Sequence, residues 1–424
     1  MQVTRPRGTN DFLPGETEKW QYLESLLRDI CARFGYEEIR TPIFEETDLF
    51  KRGVGDTTDI VQKEMYTFED LGGRSLTLRP EGTASTARAY LENKLYGGVQ
   101  PAKYYYMGPM FRYEKPQAGR FRQFHQFGVE CFGAAGPSAD AEVISLAWEF
   151  YRSLGLKGLE VHINSVGCPN CRPGHRKKLQ EFLAPKLPEL CASCQSRYEK
   201  NPMRILDCKS PICQELSAGA PTTLDCLCDD CREHFEQVLH LLDAAAIPYQ
   251  IDNRLVRGLD YYTKTAFEII VDAIGAQSAI CGGGRYDGLI EQLGGSPTPG
   301  VGFALGMERI FPTLKVQGIE LEIPRKLDVF VAALGHEADV EGFRILTALR
   351  QAGVKAEKDS LGRSLKAQMK YANRFQVAYT VILGEEELKS GKGILRNMAD
   401  SSQIEIPLQD MVHVLIEKVG QEAK

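Results

Sequence analysis

The stretch Met110–Glu130, MFRYEKPQAGRFRQFHQFGVE, decides the fold of the region around it. An aromatic run, Tyr104–Met107, precedes it, and side chains alternate in character along Phe121–Gly128. Two extended segments therefore enclose a loop that contains proline and glycine. This pattern predicts a long β-hairpin.

The strands of such a hairpin project alternate side chains to one face. We expect Arg112 and Glu114 to share a face of the first strand, and Phe124, Gln126 and Glu130 to share a face of the second. A cation, a ring, an amide and carboxylates could then converge on one ligand. The alternative is an exposed hairpin with ordinary cross-strand ion pairs.

The composition is that of a globular protein with two or three domains. The chain has 424 residues, of which 43% are hydrophobic and 25% charged, and its formal net charge is -6. The opening MQVTRPRGTN has no apolar run, and no stretch reaches the length of a bilayer span. We expect a cytoplasmic protein with no membrane role, and the negative charge argues against generic nucleic-acid binding.

Most of the 12 cysteines fall between Cys168 and Cys231, in a mainly helical insertion predicted at about residues 167–246. In a chain without a secretion signal, clustered CxxC pairs favour metal ligation over disulfides. The alternative is reduced thiols in a small helical core. The predicted zinc site consists of Cys168, Cys171, Cys191 and Cys194, and a second could use Cys208, Cys213, Cys228 and Cys231.

The hairpin residues resemble motif 2 of the class II aminoacyl-tRNA synthetases, through Phe111–Glu114 and Arg120–Phe124. This resemblance implies that Arg112 grips the α-phosphate of ATP and that Phe124 stacks on adenine. It also implies that Gln117 and Arg120, on the loop, meet the acceptor end of tRNA.

Glu81 lies in the run Arg79–Thr83, just before a predicted helix. Local sequence alone allows a carboxylate that caps this helix and interacts with its dipole. In the family that the chain resembles, the run binds the α-amino group of the substrate amino acid. A carboxylate suits an ammonium group.

Two later runs, Leu255–Glu268 and Gly282–Leu289, resemble the histidine-specific motifs of histidyl-tRNA synthetases, and Gly300–Arg309 resembles motif 3 of class II enzymes. By itself the first run could be a turn with exposed tyrosines. Helix, strand and Pro42 near the start resemble motif 1, which implies a homodimer.

The resemblance implies a histidine–tRNA ligase that uses ATP with Mg²⁺, L-histidine and tRNA(His). Such an enzyme needs positioning and charge stabilisation rather than a covalent nucleophile. The implied catalytic residues are Arg112, Arg257 and Arg309. The implied histidine-binding residues are Glu81, Gly82, Thr83, Arg112, Gln126, Glu130, Arg257, Tyr261 and Tyr262. The implied ATP-binding residues are Arg112, Glu114, Arg120, Phe124 and Arg309.

Beyond a linker near Pro324, strands and helices alternate, which predicts a small α/β domain. It resembles the anticodon-binding domain of several class II synthetases. On its second helix, predicted from Leu361 to Phe375, four cations recur at helical spacing. They are a candidate tRNA surface, with a solvated face as the alternative: Arg363, Lys366, Lys370 and Arg374.

The predicted fold class is an α+β catalytic domain built on an antiparallel sheet flanked by helices, at residues 1–325, with the helical insertion. The α/β domain follows at residues 326–424. The rival function is a non-catalytic, synthetase-like regulatory subunit of histidine biosynthesis. Such subunits commonly lack the C-terminal domain and the catalytic arginines, both of which this sequence has.

Overall fold

The structure is a computed structural model that describes residues 3–55, 58, 60–116, 119–271, 279–323 and 325–422. The chain forms two compact units that divide between Leu321 and Glu322. Within the described ranges, no helix combines the length and apolar character needed to cross a bilayer. Gln117, predicted to contact tRNA, and Pro324, at the predicted linker, lie outside the described residues.

The first unit contains eleven strands and ten α-helices among the residues that the structure describes. Its strands are β1 (Glu37–Glu38), β2 (Phe44–Glu46), β3 (Tyr66–Glu69), β4 (Ser75–Leu78), β5 (Ala102–Phe111), β6 (Gln123–Phe132), β7 (Leu159–Ser165), β8 (Tyr249–Ile251), β9 (Thr263–Val271), β10 (Ala279–Arg285) and β11 (Gly300–Gly306). Its helices are α1 (Thr17–Phe34), α2 (Thr47–Val54), α3 (Thr83–Glu92), α4 (Pro137–Ser153), α5 (Arg172–Leu183), α6 (Ala192–Lys200), α7 (Pro211–Leu216), α8 (Asp229–Ala244), α9 (Leu289–Gln292) and α10 (Ile310–Val316).

One large sheet organises this unit, in the order β1-β5-β6-β11-β10-β9-β7-β8. Its inner pairs are antiparallel, and its two end pairs, β1 with β5 and β7 with β8, are parallel. Strands β2, β4 and β3 form a separate small sheet. The predicted α+β architecture on an antiparallel sheet flanked by helices is confirmed.

The predicted hairpin is the β5–β6 pair, whose ladder runs from Ala102 opposite Phe132 to Phe111 opposite Gln123. The expectation that Arg112 and Glu114 share a strand face is wrong, because the strand ends before them. The backbone N–H of Glu114 donates to the carbonyl of Arg112 at 2.9 Å, which turns the chain out of the ladder.

Strand β6 separates the hydrophobic core from the site. Phe127, Val129 and Cys131 are fully buried in a core that also contains the apolar faces of α1 and α4. Gln126 and Glu130 alternate with them and therefore lie on the opposite face of the sheet. The period-two pattern of one strand thus builds both the core and the site.

A buried ion pair fastens α4 to the end of β10. The Arg285 guanidinium is fully buried, donates to Asp140 and also donates to the carbonyls of Ala134 and Gly136 at 2.8 and 3.1 Å. Burial alone would raise the pKa of Asp140, but His234 and Arg285 hold that pKa below its ordinary value.

The insertion between β7 and β8 is helical, as predicted, and comprises α5 to α8. The expected grouping of its cysteines is wrong. The structure gathers one set of four thiols from its two ends and another from its middle. These sets are Cys168, Cys171, Cys228 and Cys231, and Cys191, Cys194, Cys208 and Cys213.

The second unit is an α/β domain with one sheet, in the order β13-β12-β14-β15-β16. Strand β12 is parallel to β13 and β14, and the last two strands are antiparallel. Its elements are β12 (Val329–Ala333), α11 (His336–Gln351), β13 (Ala356–Lys358), α12 (Leu365–Arg374), β14 (Tyr379–Leu383), α13 (Glu385–Ser390), β15 (Lys392–Asn397), β16 (Gln403–Pro407) and α14 (Met411–Glu422).

The cationic helix of this unit is shorter than predicted. Helix α12 begins at Leu365, so Arg363 precedes it. The Asp359 carboxylate accepts the backbone N–H of Leu361 at 3.2 Å and that of Arg363 at 2.8 Å, which holds this segment in a turn. Arg363 also pairs with Asp359 through its side chain at 3.2 Å. The predicted four-cation stripe therefore reduces to Lys366, Lys370 and Arg374, which are all exposed.

Replacing Asp140 with Asn should lower the free energy of unfolding of the first unit by about 3–5 kcal/mol, because it removes the buried charge partner of a buried guanidinium. Urea denaturation measures this change. Asp287→Asn is the matched control, since Asp287 bonds the same Arg285 but its side chain is 32% exposed; it should cost under about 1 kcal/mol.

The Asp140 effect has a defined pH dependence. A carboxyl whose pKa is lowered in the folded state stabilises the fold above its unfolded pKa and loses that contribution as the pH falls through its folded pKa. The gap between wild type and Asp140→Asn should therefore narrow in acid. Equal losses from Asp140→Asn and Asp287→Asn at neutral pH would contradict this account.

Candidate active site

The floor of the site is a face of the large sheet on which glycines replace side chains. Gly302 of β11 lies between Glu130 of β6 and Gly284 of β10. A Cβ on Gly302 would overlap the Glu130 carboxyl, and a Cβ on Gly282 would overlap the Arg257 guanidinium. The glycines are therefore what allows these two charged groups to lie flat against the backbone.

Glu130 lies at the bottom of the site, 1% exposed. Its carboxyl accepts hydrogen bonds from the hydroxyls of Thr83 at 2.7 Å, Tyr106 at 3.3 Å and Tyr286. Burial raises the pKa of Glu130 to about 8, and the nearby Glu81 adds to the rise, while the three hydroxyls oppose it. The carboxyl is thus held in place, and a cationic or N–H-bearing ligand would favour its charged form.

Three tyrosines form the wall beside Glu130. The ring of Tyr261 lies 4.7 Å from that of Tyr262 and 5.5 Å from that of Tyr286, between centroids. All three side chains are buried. The alternative of a turn with exposed tyrosines is therefore wrong, and a buried aromatic cluster is present instead.

Glu81 caps helix α3. Its carboxylate accepts the backbone N–H of Thr83 at 2.7 Å and that of Ala84 at 2.9 Å, so the capping interpretation describes the contacts that this structure shows. Burial raises the pKa of Glu81. The next residue, Gly82, leaves space for the Tyr106 ring, which a Cβ would overlap. Capping and ligand binding are compatible, because a carboxylate has about four lone-pair sites.

Gln126 has a buried side-chain acceptor that lacks a hydrogen-bond donor from the described ranges of the chain. Its side chain is 8% exposed, and its carbonyl oxygen Oε1 has no hydrogen-bond partner among the residues that the structure describes. Buried polar atoms are normally paired, so an orphaned acceptor of this kind marks a place where a donor binds. It shares its face of β6 with Glu130.

Arg257 lies at the side of the glycine floor. Its guanidinium pairs with Glu268 of β9 and lies 5.7 Å from the centroid of the Tyr262 ring. Its Nε is buried without a partner in the described part of the chain. The cation is thus held by one carboxylate and retains a free donor.

The hairpin loop carries the second group of predicted residues. The Arg112 guanidinium lies 5.1 Å from the centroid of the Phe124 ring, and its Nε donates to the carbonyl of Pro80 at 3.1 Å, next to Glu81. Glu114 is 4.0 Å from Arg112 and 3.2 Å from Arg120. The loop therefore presents two arginines around one carboxylate.

Arg309 faces this loop. A Cβ on Gly119 would lie 3.9 Å from Cγ of Arg309, which places the arginine beside the hairpin. Burial lowers the pKa of Arg309, and the positive charge of Arg120 lowers it further. Two neighbouring guanidiniums of this kind favour a polyanion between them.

The sequence predictions missed two residues, Tyr106 and Tyr286, although both donate to Glu130. Tyr286 follows the glycine run Gly282–Gly284, and that position was the available signal. Tyr106 falls in the aromatic run before the hairpin, and only the pairing of β5 with β6 places it over Gly128.

Together these groups suit a small molecule with a protonated or N–H-bearing end and an anionic end. Buried carboxyls and an orphaned acceptor lie at one end, and arginines with an aromatic ring lie at the other. Preorganised charges on rigid strands can stabilise charge that develops during a reaction. None of these residues has the arrangement of a nucleophile beside a general base.

Two family models match the chain. A model for histidyl-tRNA synthetase matches residues 8–310, and a model for the anticodon binding domain matches residues 328–418. Curated relatives named histidine–tRNA ligase include one from Desulfitobacterium hafniense, 63% identical over 415 residues, with 98% of each chain covered. Another from Acetivibrio thermocellus is 52% identical over 412 residues, with 97% of this chain and 99% of the relative covered.

Solved structures agree with these relatives. The ligand-free histidyl-tRNA synthetase of S. aureus superposes with a TM-score of 0.85 at 43% identity, covering 98% of this chain and all of that one. A Bacillus halodurans protein described as an ATP phosphoribosyltransferase regulatory subunit/histidyl-tRNA synthetase shares only the fold. Its TM-score is 0.63 at 21% identity, with 90% and 98% coverage. On these matches, the chain belongs to the histidyl-tRNA synthetase family.

Proposed function

We propose that the chain is a histidine–tRNA ligase that uses the residues on the glycine floor to activate histidine with ATP. An oxygen of the histidine carboxylate forms a bond to the α-phosphorus as the bond to pyrophosphate breaks. A terminal ribose hydroxyl of tRNA(His) then attacks the carbonyl carbon, and AMP leaves with the transfer of the hydroxyl proton. The observation that carries the proposal is the Glu130 carboxyl, which is buried and bonded to Tyr286 of the tyrosine wall.

Histidine would bind at the buried end. Glu130 and Tyr262 bracket the imidazole, because a carboxylate accepts a ring N–H and a phenol can donate to the other nitrogen. Gln126, Glu81 and Thr83 hold the α-ammonium group. The unpaired Oε1 of Gln126 supports this assignment, since an ammonium supplies the missing donor.

ATP would bind along the hairpin loop. Phe124 stacks on adenine, Arg112 and Arg257 neutralise the α-phosphate, and Arg309 with Arg120 faces the distal phosphates. Mg²⁺ enters with ATP and shares the charge of its β- and γ-phosphates. Burial lowers the pKa of Arg309 and the positive charge of Arg120 lowers it further, and this proximity of two cations supports a polyanion between them.

The second unit, which we assign to residues 326–424, would bind tRNA. Lys366, Lys370 and Arg374 are exposed, and no ion pair links them to another described residue. Uncompensated cations on one helix suit the regularly spaced phosphates of RNA. We expect Arg363 to contribute less to tRNA binding than these three residues, because Asp359 already neutralises its charge.

We also propose that two copies associate through the region that resembles motif 1. Strand β1 is an end strand of the large sheet, and the side chains of Ile43 and Phe44 are 44% and 52% exposed. Unpaired strand edges and exposed apolar side chains are features that a partner covers. Sedimentation velocity of the purified chain measures the association.

The regulatory-subunit alternative is not favoured. The full-length relatives are ligases, and the chain keeps Arg112, Arg257 and Arg309 together with an anticodon-binding domain. Histidine-dependent exchange of pyrophosphate into ATP separates the two functions, because a regulatory subunit binds histidine without catalysing that exchange.

Arg257→Ala should lower histidine-dependent pyrophosphate exchange by a factor of 10² or more, because a preorganised cation at the transition state contributes about 3 kcal/mol or more. Arg254→Ala is the matched control, three residues upstream and exposed, and should leave the rate unchanged. An Arg257→Ala rate within about tenfold of wild type, equivalent to about 1.4 kcal/mol, would remove Arg257 from the mechanism.

Glu130→Gln should raise the KM for histidine or lower kcat far more than it changes the KM for ATP. Because burial raises the pKa of Glu130 to about 8, its carboxyl becomes charged only as the pH rises through that value. The kcat/KM for histidine should therefore rise over this interval in the wild type and lack that rise in the variant. Equal KM changes for both substrates would make Glu130 structural.

A triple variant, Lys366→Gln, Lys370→Gln and Arg374→Gln, should weaken tRNA binding and reduce its salt slope by roughly one unit per lost phosphate contact. The matched control removes three ion-paired cations of the same unit, Arg344, Lys389 and Lys392, for the same change in net charge. Adenylate formation should be unaffected by either variant. If both variants bind tRNA alike, the α12 cations are merely solvated.

A further inference from the structure

The two sets of four cysteines in the insertion have the geometry of mononuclear metal sites. Within each set, the Sγ atoms all lie within 4.8 Å of one another. The Sγ atom of Cys168 lies 3.7 Å from the Sγ atom of Cys171 and 3.7 Å from that of Cys228. The Sγ atoms of Cys171 and Cys231 are 3.9 Å apart. In the other set, the Sγ atoms of Cys191 and Cys208 are 3.9 Å apart.

These separations match one ion and do not match disulfides. Four thiolates at about 2.3 Å from a tetrahedral zinc ion are about 3.8 Å from one another. A disulfide requires about 2.05 Å, and all 12 cysteines are free. A tetrahedral set of four sulfurs is typical of zinc.

The backbone supports both sets. The three CxxC pairs lie at the beginning of a helix, since Cys171, Cys191 and Cys228 are the residues that precede α5, α6 and α8. The positive end of a helix dipole favours a thiolate there. The remaining two cysteines, Cys208 and Cys213, are separated by four residues in the sequence and are brought to Cys191 and Cys194 by the turn before α7.

We propose that the insertion binds two zinc ions, the outer one through Cys168, Cys171, Cys228 and Cys231 and the inner one through Cys191, Cys194, Cys208 and Cys213. The two sites are nested in the sequence. The outer ion ties the first helix of the insertion to its last, and the inner ion fastens the segment between them.

Both zinc sites brace the loop of Arg257. Arg172, next to Cys171, donates to the carbonyls of Val166 and Tyr262. Between the inner ligands, Asn201 donates to Asp260 at 2.9 Å and Arg204 donates to the carbonyl of Gly258 at 2.9 Å. Each metal site therefore holds residues that bond directly to the segment Leu255–Tyr262.

Zinc content of paired Cys→Ser variants tests the grouping. Wild type, purified without chelator, should carry about two equivalents of zinc. Cys171→Ser with Cys231→Ser removes ligands of one nested site and should leave about one equivalent, whereas Cys171→Ser with Cys194→Ser damages both and should leave about none. Cys226→Ser is the control, because Cys226 belongs to neither set, and should keep both ions.

The opposite pattern would overturn the proposal. If ligands were grouped in sequence order, the first double variant would lose both ions and the second would keep one. Wild type with less than about a tenth of an equivalent would mean that the thiols are free. Because a variant could lose zinc by failing to fold, cobalt titration of metal-free wild type provides a second measurement, and its thiolate-to-metal absorption should saturate at about two equivalents.

A separate measurement tests whether the zinc sites stabilise the segment Leu255–Tyr262. Amide hydrogen exchange of Leu255–Tyr262 should be faster in the Cys171→Ser and Cys231→Ser double variant than in Cys226→Ser. Unchanged exchange in this segment, with zinc lost, would show that the ions stabilise only the insertion.

Discussion

The burial of the Glu130 carboxyl is the constraint on which the site depends. A carboxyl with almost no exposure must be surrounded by donors, and here they come from three separate parts of the chain: the start of α3, strand β5 and the residue after β10. Neutral hydroxyls do not replace water fully, so the pKa of the carboxyl stays far above its ordinary value. A ligand that supplies a positive charge or an N–H group would stabilise the charged carboxylate, and this stabilisation would contribute to the affinity for that ligand.

The same strand that carries Glu130 also joins the site to the core. Because side chains alternate, every shift of β6 by one residue would exchange Phe127 and Val129 with Gln126 and Glu130. The register is therefore fixed by the hydrophobic face, and this also fixes the positions of Gln126 and Glu130 on the opposite face. This also explains why the sequence could predict that Gln126 and Glu130 share a face: period two is a local property. Tyr106 and Tyr286 could not be predicted in this way, because sheet pairing and a distant segment bring them to the carboxyl.

Where local polar contacts compete with regular structure, the predictions failed. The turn centred on Tyr113 takes Glu114 out of the ladder, although Arg112 still donates its backbone N–H to the carbonyl of Arg122 at 2.9 Å. Asp359 holds the segment before α12 in a turn that delays the helix, and it neutralises Arg363. The cysteine grouping failed for a different reason. Spacing along the chain pairs neighbours, but α8 returns to the start of the insertion, so its first and last CxxC pairs meet.

Under the proposed function, the glycine floor limits how the amino-acid specificity can be redesigned. Any side chain added at Gly282 or Gly302 would displace the Arg257 or Glu130 groups themselves, so the bottom of the pocket cannot be raised to suit a smaller substrate. Substitutions can change the shape of the site only at the wall, because the wall is formed by the side-chain rings of Tyr261 and Tyr262, whereas the floor is formed by backbone. A library aimed at histidine analogues should therefore randomise the wall and leave the floor as it is.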